Sequence, residues 1–358
     1  MTDAPAFFRA IEANPADDTP RLVFADWLDE NGTTDADHAR AEFIRVQCER
    51  FHEEDTERRL TLESRENQLA TEHGPAWATV WPTPLTYPTY RRGFLDPVRL
   101  GPAFIRCAEQ LAEVMPLFHL RIYKARVVMK SLAACPQLAF VRQLTMLSNV
   151  LRNADITALA ASPHLGNLQQ LDMSENKIGI RGATDLASAS LPSLQILRLT
   201  NNPIKDRGLL AITQARWRSL DCLDVMRCDL QRAGVIGLAE SPLVSQLTTL
   251  QLSGNSLVTT DAWIALARAP MQCLQRLDLS NAAVTDEVAG ALATNTSLTN
   301  LRILHLGAST MTDRGAGAIL NSPHLCNLTR LHIPENHLDA NLRDQLRTRF
   351  GNGFNPRW

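Results

Sequence analysis

The stretch Leu168-Gln169-Gln170-Leu171-Asp172-Met173-Ser174-Glu175-Asn176-Lys177-Ile178 decides the fold, because it returns. Its frame L-x-x-L-x-L-x-x-N-x-L recurs as Leu194, Leu197, Leu199, Asn202, Ile204, and again as Leu220, Leu223, Val225, Cys228, Leu230. Four more copies follow: Leu247, Leu250, Leu252, Asn255, Leu257; then Leu274, Leu277, Leu279, Ala282, Val284; then Leu301, Leu304, Leu306, Ser309, Met311; then Leu328, Leu331, Ile333, Asn336, Leu338. Their starts lie 26 or 27 residues apart. Two looser copies precede them, at Val141, Leu144, Met146, Asn149, Leu151 and at Leu117, Leu120, Ile122, Ala125, Val127, which makes nine. A fixed period of this length is the signature of a repeat array.

Each position has a physical reading. The L-x-L core is a short strand whose leucines point inward while the intervening residues point out, since side chains alternate along a strand. The Asn turns inward after the strand, where its amide can satisfy buried backbone groups. Cys228 is a tolerated variant of that slot, whereas Ala282 and Ser309 should weaken the ladder. The second half of each unit reads as helix, as in Asp206-Arg207-Gly208-Leu209-Leu210-Ala211-Ile212 and Asp313 to Leu320. Thr285-Asp286 and Thr312-Asp313 supply N-caps, and Pro192, Pro242, Pro270 and Pro323 stop the helices. Helices are wider than strands, so stacking should bend the array with nine strands on an inner arc of roughly 40 Å.

The repeats resemble the leucine-rich repeat family. Their length and helical second half are similar to its ribonuclease-inhibitor-like subclass. The fold this implies is α/β: a curved horseshoe with a parallel inner sheet and outer helices. The array should span 94–350, with the nine repeats beginning at 117. Phe94–Leu100 reads as a capping strand, and 101–116 as a helix with Phe104, Ala108, Leu111 and Val114 on one face. Asp339–Phe350 reads as a closing helix, and 351–358 as a frayed tail in which Phe354 and Trp358 could tuck against the last repeat.

Residues 1–50 read as a small all-α domain. Phe7 to Asn14 is a helix stopped by Pro15. Thr19 caps a second helix with Pro20 at its first position; this helix carries Leu22, Val23, Ala25, Trp27 and Leu28 and ends at Asn31-Gly32. A third starts at Arg40. The segments Ala10-Ile11, Asn14-Pro15, Asp17-Asp18, Pro20-Arg21-Leu22-Val23-Phe24-Ala25-Asp26-Trp27-Leu28-Asp29-Glu30-Asn31-Gly32 and Arg40-Ala41-Glu42-Phe43-Ile44-Arg45-Val46-Gln47 resemble the repeat-companion domain found at the N-terminus of many planctomycete proteins. That resemblance implies an architecture and a source, and no chemistry. Residues 51–93 follow as a helical linker and loop: a charged helix over 52–73 with Leu60, Leu62 and Leu69 as apolar points, a stop at Gly74-Pro75, Trp77, Val80 and Trp81 docking on the first repeat, and a loop from Pro82 to Arg92.

Hydrophobic residues are 45% and charged residues 21% of the 358, an ordinary globular balance that excludes simple disorder. No run of 18 apolar residues suggests a transmembrane helix, and Met1-Thr2-Asp3-Ala4-Pro5 opens no secretory signal. Seven scattered cysteines without a CxxC pair read as reduced thiols of a cytoplasmic protein. The net charge of −2 is a cancellation. Residues 1–93 hold 10 Arg against 18 acids, a net of −8, and the remainder holds 26 basic against 20 acidic residues, a net of +6. A chain-wide polyanion binder is excluded.

Three groups of residues invite a functional reading. The first is the charge density of the head, where Arg21 and Arg40 are expected to pair with Asp26 and Glu42 and fix a small bundle; the alternative is a recognition face around Trp27. The second is the outward row of the strands, Arg121, Thr145, Asp172, Arg198, Asp224, Gln251, Asp278, His305 and His332, with Arg276 and Arg330 one register over. Successive members should lie about 4.8 Å apart. Asp278, His305 and His332 offer metal-ligating atoms, but a strand-spaced row is nearly linear and the arginines repel a cation, so no metal is expected. The third is the acid-free run holding Arg121, Lys124, Arg126, Lys130, Arg142 and Arg152. It could attract an anionic partner such as RNA, though the adjacent acidic head should cover it.

No GxSxG, HExxH, P-loop or GxGxxG motif is present. Cys222 and His119 are too far apart for a nucleophile–base pair, and Cys228 should be buried and inert. No catalytic residue and no cofactor is expected. The reading is a monomeric, non-enzymatic scaffold that binds a protein ligand on the concave face through Asp172, Arg198, Asp224, Gln251, Arg276, Asp278, His305, Arg330 and His332. The alternatives are a regulator of a small GTPase or other nucleotide-dependent enzyme, as some ribonuclease-inhibitor-like proteins are, or a nucleic-acid binder through residues 121–152. No membrane partner is expected.

Overall fold

Four helices open the chain: α1 (Ala4–Ala13), α2 (Thr19–Asn31), α3 (Asp35–His52) and α4 (Thr56–Ala78). The structure is a computed structural model and describes residues 4–79, 81, 89–333 and 338–355. Helix α1 ends just before Pro15, as a missing N–H and a rigid ring require. In α2 the N-cap position falls on Asp18, and Thr19 is already helical with Pro20 in the first turn. Gly32 closes α2 by donating its N–H to the Leu28 carbonyl at 2.8 Å. Helix α3 starts at Asp35 rather than at Arg40, because Thr34 and Asp37 form a capping box. The Asp37 N–H donates to Thr34 Oγ1 at 3.2 Å, and the Thr34 N–H donates to Asp37 Oδ2 at 3.1 Å. Helix α4 continues through Gly74-Pro75, so the expected stop is corrected. It buries Leu62 and Leu69 and leaves Leu60 exposed.

The chain divides into two compact units: residues up to Met146 with Pro163–Leu168, and Leu147–Ser162 with Gln169 onward. In the first, α3 packs between α2 and α4. A hairpin follows, β1 (Tyr90–Arg91) antiparallel to β2 (Phe94–Leu95). Then come β3 (Val98–Leu100), α5 (Phe104–Val114), β4 (His119–Ile122), α6 (Met129–Ala133) and β5 (Gln143–Thr145). Strands β3, β4 and β5 are parallel neighbours. The expected single capping strand over 94–100 is therefore two strands with different partners. On α5, Phe104, Cys107, Ala108, Leu111 and Ala112 are buried, and Val114 only half so. Trp77 does not dock on the first repeat: its indole N–H donates to the Ala36 carbonyl at 2.8 Å and its ring lies 5.0 Å from Phe43. Val80 and residues 82–88 of the expected loop lie outside the described residues.

The second unit alternates helix and strand: α7 (Asn153–Ala160), β6 (Gln170–Asp172), α8 (Ile180–Ala187), β7 (Ile196–Arg198), α9 (Lys205–Thr213), β8 (Cys222–Asp224), α10 (Arg232–Glu240), α11 (Leu243–Gln246), β9 (Thr249–Gln251), α12 (Thr260–Ala267), β10 (Arg276–Asp278), α13 (Asp286–Thr294), β11 (Ile303–His305), α14 (Asp313–Leu320), β12 (Arg330–His332), α15 (Ala340–Phe350) and β13 (Phe354–Asn355). Strands β6 to β13 form a parallel sheet in chain order. Leu171, Leu197, Leu223, Leu250, Leu277, Leu304 and Leu331 stand in one register and are each at most 1% exposed. This leucine column is the core of the unit. The tail is not frayed through Asn355: β13 pairs with β12, and Phe354 is buried. Trp358 lies outside the described residues.

The Asn slot works as the sequence implies. Asn255 Oδ1 accepts from the N–H groups of Cys228 (3.0 Å) and Leu230 (3.2 Å), and its amide N–H groups donate to the Val225 (3.0 Å) and Leu252 (2.8 Å) carbonyls. Asn176 and Asn202 repeat the pattern. At Ser309 the hydroxyl is buried without a hydrogen-bond partner among the described residues, a local gap in the ladder. Asn336 lies outside the described residues.

A second ladder was not read from the sequence. The first helical carboxylate or amide of one repeat caps the next helix. Asn153 Oδ1 accepts from Gly179 and Gly182 N–H, Asp206 Oδ1 from Gln231 N–H at 2.7 Å, and Asp286 Oδ1 from Thr312 and Gly315 N–H. A glycine accompanies the close approach: a Cβ on Gly234 would lie 2.6 Å from Asp206 Oδ1. The recurring small residue two places after the helix start was its signal.

Candidate functional site

The outward row of the second unit is in register as expected. Asp172 aligns with Arg198, Arg198 with Asp224, Asp224 with Gln251, Gln251 with Asp278, Asp278 with His305, and His305 with His332. Arg276 aligns with Ile303, and Ile303 with Arg330, one register over. The first unit carries Arg121 aligned with Thr145 and with Arg99.

The three aspartates of the row have a structural duty that strand alternation alone did not show. Each turns Oδ1 back to the N–H two residues on: Asp172 to Ser174 (2.9 Å), Asp224 to Met226 (3.1 Å), Asp278 to Ser280 (2.9 Å). They pin the exit of the strand in the manner of an Asx turn. Asp224 goes further. It is only 6% exposed, its Oδ1 also accepts from the Thr200 hydroxyl at 2.5 Å, and burial pushes its carboxyl above the usual range. Its place among the displayed binding residues is therefore corrected: Asp224 is a buried turn-fixing carboxylate.

At the other end of the row, Asp278 Oδ2 lies 3.5 Å from His305 Nδ1. Burial alone would raise the Asp278 carboxyl, but the hydrogen bonds from His305 and Ser280 outweigh it and hold the group below its usual range. The His305 and His332 rings stand 5.8 Å apart, tilted by 57°. Burial and the neighbouring His305 together depress His332. Arg198, Gln251, Arg276 and His332 are half-buried, and Arg330 is exposed. Among the described residues no group of three or more His, Cys, Asp or Glu side chains is arranged to hold a metal ion.

The basic run is divided. Arg142 is turned onto the last turn of α1, donating from Nε to the Glu12 carbonyl at 2.5 Å and from Nη2 to the Ala13 carbonyl at 3.0 Å. These are carbonyls left open at a helix C-terminus, where a cation is favoured. The head thus covers Arg142 with backbone, not with the acidic side chains expected. Lys124, Arg126 and Lys130 are exposed, and the Arg121 guanidinium lies 5.7 Å from the Tyr123 ring centroid. Arg152 belongs to the other unit. The carboxylate of Glu12 instead accepts from the Leu117 N–H at 2.7 Å and pairs with Arg9. Its burial pushes its carboxyl above the usual range.

The head's arginines do not make the expected pairs. Arg45, not Arg21, binds Asp26 and also Asp29, both at 2.7 Å, and Arg65, not Arg40, binds Glu42 at 2.6 Å. Arg21 is 2% exposed and donates to the Asp17 carbonyl at 2.6 Å. Arg40 donates to the Gly93 carbonyl at 2.5 Å, with its guanidinium carbon 5.0–5.7 Å from the rings of Phe43, Trp77, Tyr90 and Phe94. Burial brings both arginines down to about 10. Gln47 accepts from the Gly93 N–H at 2.7 Å, so α3 grips the hairpin from both sides of Gly93. Trp27 stacks on Phe24 at 5.9 Å.

Cys222 is half-buried and its thiol is pushed up to about 11 by burial. Cys228 is buried, pushed up to about 12, with Sγ 3.2 Å from the Leu199 carbonyl. Neither carries thiolate at neutral pH. His119 Nδ1 lies 2.5 Å from Asp96 Oδ1. Among the described residues no helix is long and apolar enough to cross a membrane.

A leucine-rich repeat family model matches residues 164–187 and 190–212. No curated protein matches the chain. Among solved structures, the chain is similar to one from the complex of Rad7 and Elc1 in yeast, at 14% identity and a TM-score of 0.44, covering 91% of this chain and 88% of that one. It is also similar to an internalin from Listeria monocytogenes, at 20% identity and a TM-score of 0.43, covering 66% and 67%. The register of the leucine column and the Asn ladder are those of a leucine-rich repeat fold, and the family model matches two consecutive repeats of it.

Proposed function

We propose that the chain is a non-enzymatic scaffold that binds a protein ligand on the outward face of its strands. The observation that carries this reading is the in-register row Asp172, Arg198, Gln251, Asp278, His305 and His332, flanked by Arg276 and Arg330. Side chains of both charge signs stand along a sheet whose strand exits are pinned by Asp172, Asp224 and Asp278. A surface held this rigidly orders few groups on binding, and a mixed-charge face suits a partner protein better than a polyanion. Thiols held above neutral pH at Cys222 and Cys228 fit a binding role rather than nucleophilic catalysis.

The test is capture of native-cell protein by the full chain and by Arg198→Glu and Arg330→Glu, with Arg207→Glu on α9 as control. The expected result is a partner retained by the parent and the control and lost from both row variants. Equal retention by all four overturns the assignment of the face.

A further inference from the structure

We propose that the helical head carries a pocket for a small phosphate-class anion, with Arg59 and Arg91 as its available ligands. An open cavity of about 420 Å³ in the first unit is lined by Arg50, Phe51, Arg59, Arg91, Arg92 and Asp96, among others. That volume is in the range of small-ligand sites. The cluster is unusual for its surroundings: four of the ten arginines of residues 1–93 line one cavity in a segment of net charge −8.

Like charges brought together need compensation. Two of the four have it. Arg92 Nε is 2.5 Å from Asp18 Oδ1 and its Nη2 donates to the Ala16 carbonyl. Arg50 Nε is 2.8 Å from Glu66 Oε2. The other two are open to a ligand. Arg91 is 60% exposed and reaches Asp96 only at 3.9 Å. Arg59 is exposed and has no ion pair among the described residues. Phe51 also lines the cavity, 43% exposed, with the guanidinium carbons of Arg91 and Arg92 each 4.9 Å from its ring centroid. A guanidinium stacked on a ring has lost part of its freedom before any ligand arrives, which lowers the entropy cost of binding.

The ligand class follows from the donors. One arginine fork satisfies both oxygens of a planar carboxylate, whereas a tetrahedral phosphate has oxygens for two forks at once. The ligand is small because the acids around the cavity, Asp18, Glu63, Glu66 and Asp96, would repel the continuing backbone of a polyanion.

The experiment is calorimetric titration of the full chain with pyrophosphate, and with succinate at equal ionic strength. It is repeated on Arg59→Ala, Arg91→Ala and the control Arg58→Ala, whose side chain pairs with Glu49. Pyrophosphate is expected to bind the parent and the control alike. Each pocket variant should bind it about tenfold or more weakly, and succinate should bind the parent far less. Thermal unfolding checks that the variants fold. Should an alanine variant not fold, Arg59→Lys and Arg91→Lys keep the charge and remove the fork, and are expected to weaken binding as well. No binding of pyrophosphate, equal binding of succinate, or equal loss in the control overturns the proposal.

Discussion

In the repeats a buried neutral amide recurs at one slot: Asn176, Asn202 and Asn255 each accept from N–H groups of the preceding repeat and donate to strand-exit carbonyls. In the head the buried polar groups include Glu12, Arg21, Gln47 and Arg92, with Arg40 half-buried, and no two of the arginines share a setting: Arg21 meets the Asp17 carbonyl, Arg40 four rings and the Gly93 carbonyl, Arg92 Asp18 and the Ala16 carbonyl. The contrast teaches how size governs cohesion. A repeat array extends one leucine column and needs only local satisfaction of each turn. A small helical head has less apolar volume and ties a hairpin to its helices through charged side chains that must each find a particular carbonyl. The expected reading of the head's charges as devices that fix a bundle agrees with this, although the partners are different.

The largest effect should come from breaking the ladder. Asn255→Ala leaves the Cys228 and Leu230 N–H groups and the Val225 and Leu252 carbonyls without their partner, and is expected to cost about 3 kcal/mol or more. Urea unfolding measures it; a loss under about 1 kcal/mol would show that the amide is dispensable. The corresponding blow to the head is Gly93→Ala. Gly93 has φ +86, and a Cβ there would lie 2.6 Å from Ile44 Cγ1. The expected cost is about 2 kcal/mol, with faster hydrogen exchange confined to the first unit. Exchange that rises equally in β9 and β10 would dissolve the comparison.

A smaller pair of effects has opposite signs within the repeats. Gly234→Ala drives a methyl to 2.6 Å from Asp206 Oδ1, whereas a Cβ on Gly290 meets nothing within 4 Å. The first should lower stability by about 1 kcal/mol and the second raise it by about 0.5–1 kcal/mol, since alanine is the better helix former. Thermal melts of the two variants that move in the same direction would remove the helix-cap ladder as the reason for Gly234.

The smallest expected effect is in pH. The folded state depresses His332, next to His305 and Asp278, below its ordinary value of 6.5. As pH falls below 6.5 the unfolded ring takes up a proton before the folded one does, so stability declines. His332→Gln should flatten that decline between pH 6.5 and 5. An unchanged slope would place the proton uptake elsewhere.

The repeats were legible because each position is constrained by a period. A strand fixes alternation, an inward leucine fixes burial, and the Asn slot fixes which amide is buried. Where the period was broken at Ser309, the sequence also pointed to a gap in the ladder, and the Ser309 hydroxyl is buried without a hydrogen-bond partner among the described residues. Sequence reasoning failed where a side chain chose between local and distant partners. Asp224 looked like an outward residue and is a buried turn carboxylate. Gly74-Pro75 looked like a stop and lies inside α4, where packing on α3 outweighs the lost bond of one proline.

By itself the sequence determined the array: strand, inward leucine, buried amide and helix, with the outward row in correct register, because local periodicity sets all of them. Only the tertiary structure decided what the charges do. Arg142 meets the end of α1, Arg40 enters an aromatic cage, and Arg59 and Arg91 share a cavity. The physical reason is reach. A long cationic side chain pairs with whatever acceptor folding brings within a few ångströms, and spacing along the chain carries no record of that encounter.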